Sequence, residues 1–155
     1  MIDCYFEDGC PARIGLRHVT VITIVLDQNR WQLLLVKRAA SLSTCPGLWA
    51  LPGGFMDRDE KAVEAAAREV REETGYEIKG DLKFLGYDDS LERGDDRQNI
   101  PFIFVGVAGE KVDEADEESA AVQWFDLDDL PKREEWAFNH FEAVERYILK
   151  SGLGD

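Results

Sequence analysis

Apolar positions along this chain recur with two different periods. Val19 to Leu26 (VTVITIVL) is a β-branched run, and Leu33 to Val36 follows it across Asp27-Gln28-Asn29, whose residue types favour a turn; the pattern predicts a β-hairpin. From Ser41 to Gly54 the residues Pro46, Gly47, Pro52, Gly53 and Gly54 are mixed with Leu48, Trp49 and Leu51, which predicts a structured loop containing a short strand at most. The period then changes. Val63, Ala66, Ala67, Val70 and Thr74 recur at helical spacing within Glu60 to Thr74, and Gly75 stands where a helix C-cap belongs. Leu82 to Tyr87 and Pro101 to Val107 read as further strands, parted by the polar stretch DDSLERGDDRQN, a candidate substrate-facing loop. An acidic loop, Asp113 to Glu118, precedes a strand at Ala121 to Phe125. The segment Phe138 to Leu149 predicts an amphipathic helix, with Phe138, Phe141, Val144, Tyr147 and Ile148 on one side. Strands interrupted by one long helix and closed by another predict an α/β fold, a mixed β-sheet sandwiched between α-helices, in one domain spanning residues 1–155.

Composition narrows the possible partners. A hydrophobic fraction of 45%, with four Trp and eight Phe, is ample for a core, so the 32% charged fraction belongs to the surface. The formal charge of −14 repels phosphate backbones and anionic lipid. Neither nucleic acid nor membrane is therefore an expected partner, and an anionic substrate needs a cationic mediator. Cys4, Cys10 and Cys45 are odd in number and lack C-x2-C spacing, which argues against a disulfide framework or a zinc cluster and predicts reduced thiols. No stretch approaches the roughly 18 apolar residues of a membrane span, and MIDCYFEDGC lacks a basic-then-apolar signal pattern, so the expected location is the cytoplasm.

The chemistry concentrates on the central helix. At about 100° per residue, Glu69, Glu72 and Glu73 fall within an arc of roughly 100°, and Val63, Ala67, Val70 and Thr74 are expected on the opposite, core-facing side. Like charges on adjacent turns cost a few tenths of a kcal/mol per pair, which Arg68 and Arg71 offset only in part. By charge alone this is a solvated acidic face; by spacing it is also an array of hard oxygen ligands for a divalent cation.

The stretch GFMDRDEKAVEAAAREVREETGY, from Gly54 to Tyr76, resembles the Nudix box, G-x5-E-x7-R-E-U-x-E-E-x-G-U, where U is a bulky aliphatic residue. Gly54, Glu60, Arg68, Glu69, Val70, Glu72, Glu73 and Gly75 fill its fixed positions, and Tyr76 alone departs, which should alter packing beneath the helix end. LLLVKRA, GLWALPGGF and VQWFDLDDLP resemble the family's flanking segments, so the likeness extends over most of the chain. It implies the Nudix fold and hydrolysis of a diphosphate linkage, with Mg²⁺, or Mn²⁺ in its place, as cofactor. Glu69, Glu72 and Glu73 would be ligands, together with the backbone carbonyl of Gly53, and Gly54, Glu60 and Arg68 would support them. The general base would come from the box or from a later loop, where Asp116, Glu117 and Glu118 are candidates and Glu118 is favoured.

The substrate side is less defined. Trp49, Phe55, Phe102 and Trp124 are candidate stacking surfaces, Trp49 foremost, while Lys37, Arg38 and Arg97 are candidate phosphate or ribose contacts. His18 and His140 are too few and too far apart for a histidine metal site. The segment WAFNHFEAVERYI resembles the end of Nudix members that act on ADP-ribose, which favours ADP-ribose, giving AMP and ribose 5-phosphate. Hydrolysis of an oxidised or ordinary nucleoside triphosphate is the alternative, since the polar loop before Pro101 does not resemble the usual ADP-ribose-hydrolase loop. A noncatalytic nucleotide sensor is a reading of another class. The expected partner is a small nucleotide, and a homodimer is compatible with all three readings.

Overall fold

The computed structural model describes residues 4–5, 11–12, 17–91 and 98–152, so Arg97 and Cys10 lie outside the described residues. Two short strands, β1 (Cys4–Tyr5) and β2 (Pro11–Ala12), pair with each other. The main sheet runs in the order β5 (Trp49–Ala50), β4 (Gln32–Arg38), β3 (Val19–Leu26), β8 (Ile100–Lys111) and β7 (Tyr76–Tyr87), with β6 (Gly53–Phe55) on β3 and β9 (Ser119–Asp126) on β4. The pairing of β3 with β8 is parallel and the rest are antiparallel, so the sheet is mixed as expected.

Alternation along the central strands explains the sandwich. Val21 and Val25 of β3, Leu34 of β4, and Phe104 and Ala108 of β8 meet helix α1 (Ala62–Thr74) through Ala65, Ala66 and Val70. Their neighbours Ile22, Ile24, Leu33, Leu35 and Ile103 point the other way, to Ala143 and Val144 of helix α2 (His140–Ser151). A strand covered on both faces must be apolar at nearly every position, and VTVITIVL is.

Three elements differ from expectation. β7 and β8 are both 12 residues long, because the chain passes straight from the Gly75 cap into β7. The strand expected from Leu82 begins at Tyr76, and Gly80 at φ +74° sits inside β7, where the register shifts between Lys79 and Lys83. α2 starts at His140 rather than Phe138, since Phe138 has φ +54° and the preceding residues run beside β5, the Ala137 amide donating to the Trp49 carbonyl at 2.7 Å. On α1 the arcs are rotated from the predicted ones: Val63 is 42% exposed, while Glu73, expected opposite the core, is only 6% exposed. The acidic arc therefore crosses from solvent into the interior. Among the described residues no helix is long and apolar enough to cross a membrane.

Gly75 joins α1 to β7 and to the loop after β8. Its φ is +79°, its amide donates to the Arg71 carbonyl at 2.8 Å, and its own carbonyl accepts from the amides of Val112 and Asp113. A Cβ here would stand 1.9 Å from the Asp113 carbonyl oxygen, whereas one on Gly80, also left-handed, would meet nothing within 4 Å. Gly80→Ala is expected to cost only the left-handed strain, about 1 kcal/mol, and Gly75→Ala to cost clearly more, roughly 2–4 kcal/mol, because the loop must move as well. Urea unfolding of the two variants checks this difference.

Candidate functional site

Arg68 is the electrostatic centre of α1. Its Nε and Nη2 donate to the two oxygens of Glu60 at 2.7 and 3.0 Å, its Nη1 to Glu69 and Glu72 at 3.0 Å each, and Nη2 also to the Phe55 carbonyl at 3.0 Å. A planar guanidinium can satisfy this many acceptors at once and an ammonium cannot. The Arg68 hydrogen bond, helped by the Asp57 amide, holds the Glu60 carboxyl below its ordinary range, and Glu60 in turn keeps Arg68 firmly charged. Arg68 thus ties Glu60 to Glu69 and Glu72.

The architecture brings α1 to a gap in the sheet. β3 and β4 pair only at Val25 with Leu34 and Leu26 with Leu33; beyond that they part, β3 turning to β6 and β4 to β5. The chain between β5 and β6 fills the opening and carries Gly53 to Glu73, whose Oε2 accepts the Gly53 amide at 3.0 Å. Gly53 contributes its N–H to this contact. A Cβ on Gly53 would lie 2.1 Å from the Val21 carbonyl oxygen, so the backbone leaves no room for a side chain there, and one on Gly54 would lie 2.7 Å from Oε1 of Glu69, so that carboxylate would have to move. The close approach at Gly54 is made by a carboxylate of the box itself.

A cleft of about 320 Å³ opens at this gap, and Gly53, Gly54, Glu73, Glu118 and Arg38 are among the residues that line it. Strand parity separates the substrate candidates. Val36 and Arg38 of β4 and Ala50 of β5 face the cleft, while Lys37 and its partner Trp49 point away. Trp49 packs edge-on against Phe125 at 4.9 Å, with the Lys37 ammonium 5.6 Å from its ring, in the core beneath α2. Phe102 packs against Phe84, and Trp124 against Tyr76 at 5.7 Å, where the Trp124 indole donates to the Tyr76 hydroxyl. Trp124 is thus what Tyr76, the aromatic at the end of the box, packs against. Of the four aromatic candidates, Phe55 alone reaches the cleft.

Arg38 is the cationic residue of the lining. Its Nε and Nη2 donate to the Thr44 carbonyl and hydroxyl at 3.0 and 3.1 Å, and its guanidinium carbon lies 5.1 Å from the Phe138 ring centre. Two residues that sequence reasoning did not assign to the site stand beside it. Phe138 lines the cleft at its strained φ, and buried His140 accepts the Leu51 amide at Nδ1, 3.0 Å, pinning the turn that leads to Gly53. The segment WAFNH contains both, but a helical reading places Phe138 on a core stripe. Asn99 also lines the cleft, with its Oδ1 buried and unpartnered.

The later acidic loop is tied to α1. The Asp116 amide donates to the Glu72 carbonyl at 2.9 Å, and Arg71 pairs with Asp113 at 2.8 Å. Of the three base candidates Glu118 lines the cleft; Asp116 and Glu117 do not. Burial raises the Asp116 carboxyl, with repulsion from Glu72 adding to it, while the Glu118 and Ser119 amides oppose the rise.

The donor set fits a hard divalent cation: carboxylate oxygens on one rigid helix, crowded enough to repel one another. Burial, with further repulsion from Glu72 and Glu118, pushes the Glu69 carboxyl up to about 6 against the pull of Arg68. Glu73 lies well above its ordinary value for the same first reason, with Glu69, Asp116 and Glu118 adding to it. Among the described residues no three such side chains converge to enclose an ion, because Arg68 holds Glu69 and Glu72 while the Gly53 amide holds Glu73.

These shifts set the pH dependence of the metal-free fold. A carboxyl whose folded pKa is raised binds its proton more tightly when folded, so stability is lost as pH rises from the unfolded value through the folded one. For Glu69 that window runs from about 4.5 to about 6, and Glu73, raised for the same reason, contributes in the same direction. In a chelator, the thermal midpoint is expected to fall between pH 5 and pH 8. Glu73→Gln should flatten that slope, and an unchanged slope in this variant would remove Glu73 as its source.

Comparison with known proteins supports this geometry. Residues 16–147 match the NUDIX domain family. The chain is 31% identical over 137 residues to an ADP-ribose pyrophosphatase of Methanocaldococcus jannaschii, covering 88% of this chain and 76% of that protein. It is 30% identical over 132 residues to a MutT-like protein of Streptomyces ambofaciens, covering 84% and 79%. In three dimensions it is similar to the NUDIX domain of Shewanella oneidensis NrtR, solved in complex with ADP ribose, with a TM-score of 0.74 at 22% identity, covering 91% of this chain and 92% of that one. With its mixed sheet between two helices and its intact carboxylate box, the chain belongs to the Nudix family and is a Nudix pyrophosphohydrolase.

Proposed function

We propose that this chain hydrolyses the diphosphate of ADP-ribose to AMP and ribose 5-phosphate, with Mg²⁺, or Mn²⁺ in its place, held by Glu69, Glu72, Glu73 and a backbone oxygen of Gly53. The observation that carries this reading is that Glu73, although on the buried arc of α1, lines the same cleft as Glu118 and Arg38. Glu73 thus connects the acidic arc to a lining that also offers a carboxylate and a guanidinium. The choice of ADP-ribose is supported by the M. jannaschii relative and by the ligand of the NrtR domain. A cytoplasmic setting belongs to the same proposal.

A bound divalent cation would neutralise the diphosphate and lower the pKa of an attacking water. The residues of this chain do the rest. Arg38, with two of its nitrogens already held by Thr44, presents the remainder of its guanidinium to an anionic part of the substrate. Glu118 accepts the proton of the water as its oxygen attacks phosphorus, and the phosphate on the far side of the anhydride leaves. Arg68 and Glu60 keep the carboxylates in register, and the His140 contact to Leu51 keeps the Gly53 turn against Glu73. Phe55 and Phe138 are the aromatic surfaces available to a base.

A panel of ADP-ribose, nucleotide sugars, dinucleoside polyphosphates, dGTP and 8-oxo-dGTP, assayed with Mg²⁺ and Mn²⁺, tests the reading, with ADP-ribose expected to give the highest kcat/KM. Faster turnover of 8-oxo-dGTP would move the assignment to the triphosphate reading, and binding without product over hours would make the chain a sensor. Glu69→Gln and Glu73→Gln should each lower kcat and kcat/KM by about 10²-fold or more, the scale of lost electrostatic catalysis. Glu64→Gln should be nearly silent, since Glu64 caps the helix through the Lys61 amide at 3.0 Å and glutamine keeps that acceptor. Glu118→Gln is expected to reduce kcat by about 10²-fold or more with little change in KM; an unchanged kcat would return the base to the helix.

A further inference from the structure

A second concave surface lies away from the cleft, between β7 and α2. Its volume is about 490 Å³, within the range of small-molecule sites. Three cations line it, Lys83 from β7 and Arg146 and Lys150 from consecutive turns of α2, and no Asp or Glu does. The ion pairs and hydrogen bonds of the described residues engage none of the three. In a chain of formal charge −14, that leaves an unneutralised positive spot on an acidic protein. Arg146 and Lys150 stand at i and i+4, where like charges disfavour the helix, and position near the helix C-terminus explains them only in part. It does not explain Lys83, which comes from another element.

Apart from Ser151, the rest of the wall is apolar and aromatic. Tyr87 is 59% exposed and Leu85 37% exposed, both on the β7 side, and Tyr147 lines the groove from α2. Gly86, at φ +134°, has nothing within 4 Å of where a Cβ would be, so the groove stays open between them. Cations that pair with phosphate beside tyrosines that stack on a ring are the two halves of nucleotide recognition.

We propose that this groove is a second ligand site, separate from the catalytic cleft, that takes a nucleoside monophosphate through Lys83, Arg146 and Lys150 at the phosphate and Tyr87 and Tyr147 at the base. It shares no lining residue with the cleft, which makes it a site for an effector rather than for the reacting diphosphate. The inference does not depend on which substrate the cleft hydrolyses.

Calorimetry on the full chain in chelator, with AMP, adenosine and inorganic phosphate as separate probes, tests it. AMP is expected to bind saturably and more tightly than either fragment. Lys83→Gln with Arg146→Gln, both exposed positions that leave the core untouched, should weaken AMP about tenfold or more, Tyr87→Ala should weaken it severalfold, and Arg38→Gln should leave it unchanged. Binding lost in Arg38→Gln and kept in the groove variant would place AMP in the cleft and overturn the proposal. Phosphate binding as tightly as AMP would overturn the nucleotide assignment, and the absence of AMP binding at millimolar concentration would overturn the site. Circular dichroism of each variant separates loss of binding from loss of fold.

Discussion

The guanidinium of Arg68 is the interaction on which the site depends. It stands among Glu60, Glu69 and Glu72 and reaches the Phe55 carbonyl, so a single planar cation links the loop before α1, the helix itself and strand β6. Carboxylates this close repel one another, and at Glu69 burial adds to that repulsion in raising the carboxyl. With Arg68 in place the face is tolerable without metal; without it, two helix acids and Glu60 would lose a shared partner at once. The acidic face of the helix and the link between the loop, the helix and β6 meet at the same guanidinium, which ties the arginine of the box to its place.

Glu73 shows the other side of that balance. Its carboxyl is nearly buried, well above its ordinary pKa, and its Oε2 accepts a backbone amide from the turn at Gly53. A solvent-exposed glutamate could coordinate a cation, but it would not press the Gly53 turn against the helix. The contact makes the glycine loop, the opening between strands and the acidic helix one unit, and the small residue at position 54 lets the Glu69 carboxylate into the same space.

Much of this was legible in the sequence, and the exceptions have physical reasons. The fixed spacing of Gly54, Glu60, Arg68, Glu69, Glu72 and Glu73 identified the helix and the family, because a motif constrained by geometry keeps its spacing. The burial of Glu73 was hidden: periodicity read the acids as the face opposite the core, and which arc a helix buries is decided by the sheet beneath it. Trp49 looked like a stacking surface by residue type, yet one position of strand parity turns it to the core and presents Ala50 instead. Phe138 was misplaced for a related reason, since a positive φ in a non-glycine residue leaves no trace in hydropathy. The length of β7 was also hidden, since the strand expected from Leu82 begins at Tyr76 and takes in Gly80 at a break in register.

The parting of β3 from β4 after two paired positions carries a consequence for how such a protein can diversify. Where strands are zipped, their separation is dictated by the backbone ladder and no substitution can widen it. Here the aperture is instead held by side chains and by the 39–48 and 136–138 segments, which can lengthen, shorten or exchange residues without disturbing the ladder that carries α1. The acidic helix and the aperture therefore sit under separate control: one is fixed by charge geometry, the other is adjustable. A lineage with this topology can change what it admits while keeping how it reacts.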